Sequence, residues 1–452
     1  MAGKRRYPHR ERMEGSGRMR QFIAYARKKL KLIELAKRSV EDSRRSPRIE
    51  GFVCFMLAVI MLLRRCRSFN GFEKQLKAKS LKNIFRGYRL PKCTQTMKNA
   101  FKKTDLQSLE ELHQAILKEA AGNKAFDMVK MHGMRFFGFD GVEPVSSRKR
   151  SCGGCQTRTL QTNQGEVTEY YHRYVFLQSI GPVPHLLLGF QHQDNLEHRK
   201  AKDSEAVKAE GELTAVKPLV DRLRSFFPRL YSVGVGDSLY ANGPMFEFMR
   251  DDDFPMELVA VLKKETDEPM ADALRVFESM DPTETYYDEA RGEHVRMWDS
   301  EGFEGLSTCP YPLRVIKALV HEGPPKLDPD HVDWTGKSVH TWWLATGITK
   351  ERLAGPQVFD GLRHRWDEEN CAFNELTQYW NFKHTYLHHE VGTQVMMYAF
   401  MIAYNLFQLF LHRCLRGFRH SRETAISVAE DMRDDQANIR SPEDGFFPFD
   451  TS

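Results

Sequence analysis

The chain has 452 residues, 41% hydrophobic and 28% charged, which excludes wholesale disorder and predicts two or three folded units at roughly 150 residues each. Eight cysteines are too few and too scattered for a secreted disulfide framework, and the basic first fifty residues lack the apolar core of a signal peptide, so a reducing, cytoplasmic setting is expected. The net charge of +6 hides an asymmetry: residues 1–103 carry 29 Lys and Arg against 7 Asp and Glu, whereas the remainder carries 38 against 54. A front end this basic is attracted to polyanions, of which double-stranded DNA is the expected partner; the bland alternatives are a solvated basic surface or an acidic lipid surface.

Residues 1–20 have no periodicity and read as a basic arm. From Arg20 to about Arg45 the spacing of Phe22, Ile23, Ala26, Leu30, Ile33 and Ala36 predicts one amphipathic helix, with Leu35 off the stripe. Glu50–Arg65 reads as a buried helix, followed by short helices near Gly71–Ala78 and Thr94–Phe101 and a longer one over Ser108–Ala121, where Ser108 and Glu111 have the form of a capping box. The apolar runs Phe52–Leu63 and Val395–Tyr404 fall short of the roughly 18–20 residues that span a bilayer, so they are expected as core helices, with no membrane partner. The all-helical basic front suits a helix-turn-helix-like reader, although no segment matches that motif well.

The pattern changes at Arg135. Arg135–Asp140, Thr168–Ile180, Pro184–Phe190 and Leu230–Val235 read as strands, with a helix over Glu212–Leu223 despite Pro218. Two of these strands are followed at once by aspartates, Asp140 and Asp237, suggesting an α/β layer structure with functional groups at strand ends. Met256–Leu262, Thr283–Asp288, His294–Asp299, Leu313–Leu319 and Ser338–Ala345 are short strands of a β-rich insertion. A helical region then runs from about Gln357 to Cys414, broken near Asn381, and residues 417–452 read as a disordered tail.

Asp140 and Asp237, with Glu369 or its neighbour Glu368 on the later helix, form a set of hard oxygen ligands suited to two Mg²⁺ or Mn²⁺ ions. Spacing alone leaves that assignment weak, since the chain has 61 acidic residues. Cys152 and Cys155 form a CxxC that supplies two zinc ligands; His172 is a possible third and His192 or His198 a fourth, against the bland reading of a reduced surface loop. His384 and His388 stand at i, i+4 spacing, more typical of a polar helix face than of a metal pair. Trp342 and Trp343 are core aromatics or, less simply, a base-stacking pair. Arg148, Lys149 and Arg150 follow the first carboxylate and are placed to hold a phosphate backbone.

Phe136–Ser147 (FFGFDGVEPVSS), Val233–Asn242 (VGVGDSLYAN) and Arg363–Leu376 (RHRWDEENCAFNEL), in that order, resemble the three catalytic blocks of DDE transposases of the insertion-sequence-four family, over roughly residues 70–412. The resemblance implies a ribonuclease H-like core interrupted by a β-rich insertion, with Asp140, Asp237 and Glu369 as catalytic and metal-binding carboxylates. It also implies cleavage at terminal inverted repeats, strand transfer into target DNA, and a homodimer that synapses two ends in a bacterial cytoplasm. Members often carry a Tyr three before the Arg and a Lys seven after the Glu of the third block; here Leu362 and Leu376 stand there. That leaves Arg365 as a phosphate contact, with Lys383 or His384 as a substitute for the missing Lys.

The expected organisation is a basic helical DNA-binding region over 1–125, an α/β ribonuclease H-like core over 126–253 and 351–416, a β-rich insertion over 254–350, and the tail over 417–452. The competing function is a catalytically silent repressor that keeps DNA binding alone.

Overall fold

The computed structural model describes residues 17–163, 165–193, 204–250, 253–263, 268–304, 306, 309–325, 332–367, 372–415 and 417–447. The chain folds as two compact units, one drawn from Met1–Asn123, Tyr379–Asn381 and Val391–Ser452, the other from Lys124–Gln378 and Phe382–Glu390.

The first unit is helical among its described residues. It begins with α1 (Arg18–Lys28) and α2 (Leu32–Ser39), where one continuous helix was expected. Lys31 takes a left-handed conformation (φ 48°) between them and restarts the helix in a new phase. That new phase buries Leu32, Ile33, Leu35 and Ala36, so Leu35, off the stripe of a single helix, faces the core. The next helix, α3 (Gly51–Leu63), is buried on every side, as its unbroken apolar sequence requires. Short helices α4 (Phe69–Glu73), α5 (Lys79–Ile84) and α6 (Thr94–Phe101) precede α7 (Leu106–Gly122). Here α7 starts before Ser108, because the Asp105 carboxylate accepts the Ser108 N–H at 3.0 Å and acts as the cap.

The C-terminal segments complete this unit instead of closing the sheet or trailing away. Residues 417–452, expected to be disordered, contain helix α14 (Ala425–Ala437), capped by Thr424 and burying Val428 and Met432. Asp435 of α14 accepts the Arg20 backbone N–H at 3.2 Å and the Arg20 guanidinium at 3.3 Å. A carboxylate there complements the unpaired N–H groups and positive end of α1. Helix α13 (Glu390–Leu409), with the turns that extend it to Cys414, is the helix among the described residues long and apolar enough to cross a bilayer, and its apolar window is 94% buried in protein. Its buried Asn405 is satisfied by His113 at 3.1 Å.

The second unit is built on one sheet of ten strands: β1 (Phe136–Ser147), β2 (Gln156–Thr162), β3 (Gly165–Ile180), β4 (Leu187–His192), β5 (Val233–Gly236), β6 (Glu257–Val261), β7 (Glu284–Asp288), β8 (Glu293–Phe303), β9 (Leu313–Glu322) and β10 (Val339–Thr346). The order is β2-β3-β1-β5-β6-β10-β9-β8-β7, with β4 also on β3. Strands β1, β5 and β6 are mutually parallel, and the remaining pairings are antiparallel. The expected β-rich insertion is therefore an extension of the core sheet through the β6–β10 pairing, not a sheet of its own. It also contains a helix, α10 (Glu268–Glu278), that alternation did not signal. Helices α8 (Ser204–Phe226), α9 (Gly243–Arg250), α11 (Gly355–Arg363) and α12 (Asn374–Tyr379) complete the unit's longer elements. Phe136, Val233, Val259, Ile316, Leu344, Val358 and Leu362 share one buried cluster, which fixes α11 against the sheet.

Candidate functional site

Strand β1 does not stop at Asp140, as expected from the Asp-Gly step; it continues to Ser147, because β3 supplies an antiparallel partner as far as Ser147↔Tyr170. The strand that ends is its other neighbour. In the parallel β1–β5 ladder Phe136 faces Val233 and Gly138 faces Val235, an offset of 97 that brings Asp140 level with Asp237, immediately after β5 closes at Gly236. Asp140 thus lies where β1 overruns its parallel partner, and both carboxylates are half-buried at that step.

Their hydrogen bonds come only from backbone among the described residues: Gly141 N–H to Asp140 Oδ1 and Leu239 N–H to Asp237 Oδ1, each 2.8 Å. Burial, then the charge of Glu212, pushes the Asp140 carboxyl up to about 6; the Gly141 N–H and Arg365 pull it down, and Asp237 adds a smaller upward push. The carboxylates therefore work against one another, as they do where a cation is to be bound.

Glu212, on α8 and buried, completes the acidic group. Tyr240 Oη donates to its Oε1 at 2.7 Å and Arg173 Nη2 to its Oε2 at 2.7 Å. Burial first, then Glu212, raises the Tyr240 phenol well above its ordinary value, so it stays a donor. Arg173 also binds Glu143, which Arg158 links to Glu169. Glycine at 141 leaves room for this pair: a Cβ there would lie 2.3 Å from Glu212 Oε2 and 2.8 Å from Arg173 Nη2, so any larger residue has to displace their ends. Sequence reading placed Glu212 on a helix but gave it no role; its signal is three-dimensional, a buried carboxylate held by two donors.

The CxxC lies in the connection from β1 to β2. Cys152 Sγ is 3.6 Å from Cys155 Sγ and 3.2 Å from His172 Nε2; Cys155 Sγ is 3.4 Å from His172 Nε2 and 3.0 Å from His388 Nε2. The four donor atoms lie within 4.8 Å of one another. His172, on β3, has its Nδ1 3.1 Å from His192 Nε2, so His192 backs the cluster instead of joining it. His198, the other proposed fourth ligand, lies outside the described residues. Burial, then His192 and His388, lowers the His172 imidazole to about 3, which keeps it neutral.

His384 and His388 are not on a helix: residues 380–389 connect α12 to α13 irregularly, and His384 packs on Tyr386 while His388 reaches Cys155. Arg148, Lys149 and Arg150 are exposed on the β1–β2 connection, and Lys383 is exposed. Arg365 is half-buried with its guanidinium 4.0 Å from the Trp366 ring centre. Trp343 is buried against Phe277, and Trp342 packs on Phe359 and Trp366. Asp367 is engaged by His364 at 2.7 Å and by the Gly181 N–H at 3.0 Å. Glu368 and Glu369 lie outside the described residues.

No protein-family model matches the chain, and no curated protein does. Among solved structures, the piggyBac transposase synaptic complex with hairpin DNA aligns with a TM-score of 0.43 and 8% identity, over 94% of this chain and 80% of that one. A likeness at that level assigns neither fold nor activity.

Proposed function

We propose that the protein is a DNA transposase of the DDE type, which cleaves DNA phosphodiesters at the terminal inverted repeats of an insertion sequence and joins the freed 3′-hydroxyl to target DNA. The observation that carries this reading is that Asp140, where β1 overruns its parallel partner, stands level with Asp237 just past the carboxyl end of β5, each carboxylate bonded among the described residues only by one backbone N–H. In open α/β sheets the crevice beyond the carboxyl ends of the strands is where ligands bind. A sheet with β1, β5 and β6 parallel and β3 antiparallel beside β1 suits the ribonuclease H-like core that the sequence resemblance implies.

The donor set fits hard divalent ions, which take carboxylate oxygens and are not held by the soft donors nearby. Asp140 and Asp237 would hold them, with Glu369 as the third ligand on the strength of the sequence resemblance. Bound there, magnesium or manganese supplies Lewis-acid polarisation of the phosphodiester and of the attacking oxygen. The protein's own groups do the rest. Arg365 offsets the charge gathered at Asp140 and accompanies the scissile phosphate. Arg148, Lys149 and Lys383 hold the DNA backbone, contacts that position without reading sequence. Glu212, tied down by Tyr240 and Arg173, braces β1 at Asp140 and Gly141, each of its oxygens already bound to a donor. The basic helical unit binds the repeats, and a homodimer brings two ends together.

The test is cleavage of a duplex carrying the terminal repeats in Mg²⁺, with wild type, Asp140→Ala and Glu369→Ala, alongside binding to the same duplex. Cutting at the element boundary by wild type alone, with binding retained by all three, is the expected result. Binding by all three with cutting by none would replace this reading with the silent repressor.

A further inference from the structure

We infer that Cys152, Cys155, His172 and His388 form a structural zinc centre, which ties the basic β1–β2 connection to β3 and to the segment after α12. Zinc bonds of about 2.3 Å to sulfur and about 2.0–2.1 Å to nitrogen, at tetrahedral angles, put donor atoms roughly 3.3–3.8 Å apart. Four of the six edges are 3.6, 3.2, 3.4 and 3.0 Å, and no edge exceeds 4.8 Å. A disulfide needs its sulfurs about 2.05 Å apart, so the cysteines are two separate donors. Ordinary thiol hydrogen bonds account less well for the geometry. Each thiol has one proton, yet Cys155 Sγ faces Cys152, His172 and His388 together and also lies 3.3 Å from the Cys152 N–H, a donor suited to a thiolate.

Local structure prepares the site. Cys155 N–H closes a turn on Cys152 C=O at 3.1 Å, the knuckle that brings a CxxC pair to one point. Gly154 packs closely on the ligand imidazole and its neighbour: a Cβ there would meet His192 Cε1 at 3.3 Å and His172 Cε1 at 3.4 Å, so a larger residue would press on both rings. His172 presents Nε2 while its Nδ1 meets His192, the outer contact that orients a ligating imidazole. Two thiolates and two neutral imidazoles around Zn²⁺ carry no net charge, which suits a cluster whose inner members, Cys155 and His172, are buried. All four positions are filled by protein, so the centre has no open site and is structural, not hydrolytic. Its product is a fixed loop: Arg148, Lys149 and Arg150 stand exposed just before Cys152, and a basic loop already ordered loses less freedom when it meets phosphate.

The centre stands apart from the carboxylates, so its test does not depend on DNA cleavage. The full-length protein, purified reduced and without chelator, is assayed for metal and then exchanged with cobalt(II). The expected result is one zinc per chain, and a cobalt form with thiolate charge-transfer and strong tetrahedral d–d absorption. Cys155→Ser and His388→Ala should lose both signals, while His388→Cys, which keeps four ligands, should retain the metal and guards against simple misfolding of His388→Ala. Chelation should raise hydrogen exchange across residues 148–156. The inference is overturned by metal-free protein that takes up no zinc on titration, by metal retained equally in Cys155→Ser, or by unchanged exchange in that loop after the metal is removed.

Discussion

The sheet unit holds two polar clusters of opposite chemistry, and both depend on β1. At the level where β1 overruns β5, oxygen donors meet and push one another's charges; at the far end of β1, in its connection to β2, sulfur and nitrogen donors converge on one point. Oxygen donors with open lone pairs suit exchangeable hard cations that keep waters, whereas four converging soft donors suit a cation that stays. On the proposed reading, one strand thereby separates a site that admits substrate from one that only has to remain closed. The contrast extends to partners: Glu212 is paired with the Arg173 guanidinium and accepts the Tyr240 hydroxyl, while among the described residues Asp140 and Asp237 accept backbone N–H groups alone.

The contrast is broken most severely at the open carboxylates. Asp140→Ala or Asp237→Ala should lower strand cleavage by about 10³-fold or more, roughly 4 kcal/mol of transition-state stabilisation, with repeat binding unchanged. Single-turnover cleavage at saturating protein measures this. A loss below tenfold would take both residues out of the catalytic set.

Next in size is the closed cluster. A metal bound only by the folded state stabilises it by about 4 kcal/mol when free metal is a thousandfold above its dissociation constant. Chelation, or Cys155→Ser, should therefore shift the unfolding midpoint of the sheet unit by several kcal/mol in equivalent stability. Cleavage should fall only as far as the basic loop loosens. Magnesium removal should do the reverse, abolishing cleavage with little change in stability.

A smaller effect is expected at Arg173→Met. Arg173 holds two carboxylates, Glu143 at 3.0 Å and Glu212 at 2.7 Å, and its side chain is 18% exposed. Removing one member of a buried pair costs about 3–5 kcal/mol, and this exposure places Arg173 at or below the lower end, near 3 kcal/mol. Urea unfolding checks it; a change under about 1 kcal/mol would mean that solvent screens the network.

How much of this was legible follows from where each signal resides. Thr94–Phe101 is a helix as the sequence indicates, because a turn and a local apolar face bound it. The break at Lys31 was written only in the misfit of Leu35, which a single-helix reading treats as noise. The end of β5 before Asp237 was readable, but that Asp140 stands level with it depends on a register that no local pattern encodes. His388 joins Cys155 across 233 residues, and its spacing from His384 pointed to a helix that does not form. The disorder expected after residue 417 failed for a similar reason: α14 is weakly amphipathic alone, and Asp435 gains its role by meeting α1.

The smallest predicted effect concerns Glu212. Tyr240→Phe removes the hydroxyl that donates to Glu212 Oε1 and leaves Arg173 on Oε2. Losing a hydrogen bond to a buried charged acceptor costs about 1.5–3 kcal/mol, and the lower value applies because the carboxylate keeps its guanidinium. If Glu212 only braces β1 at Gly141, stability falls by that amount and cleavage by less than about tenfold. If Glu212 is itself a metal ligand, freeing Oε1 alters cleavage and its magnesium dependence far more than stability. The ratio of the two effects in one variant thus decides whether the site has a fourth working carboxylate or a braced one, and the paired donors on Glu212 favour the brace.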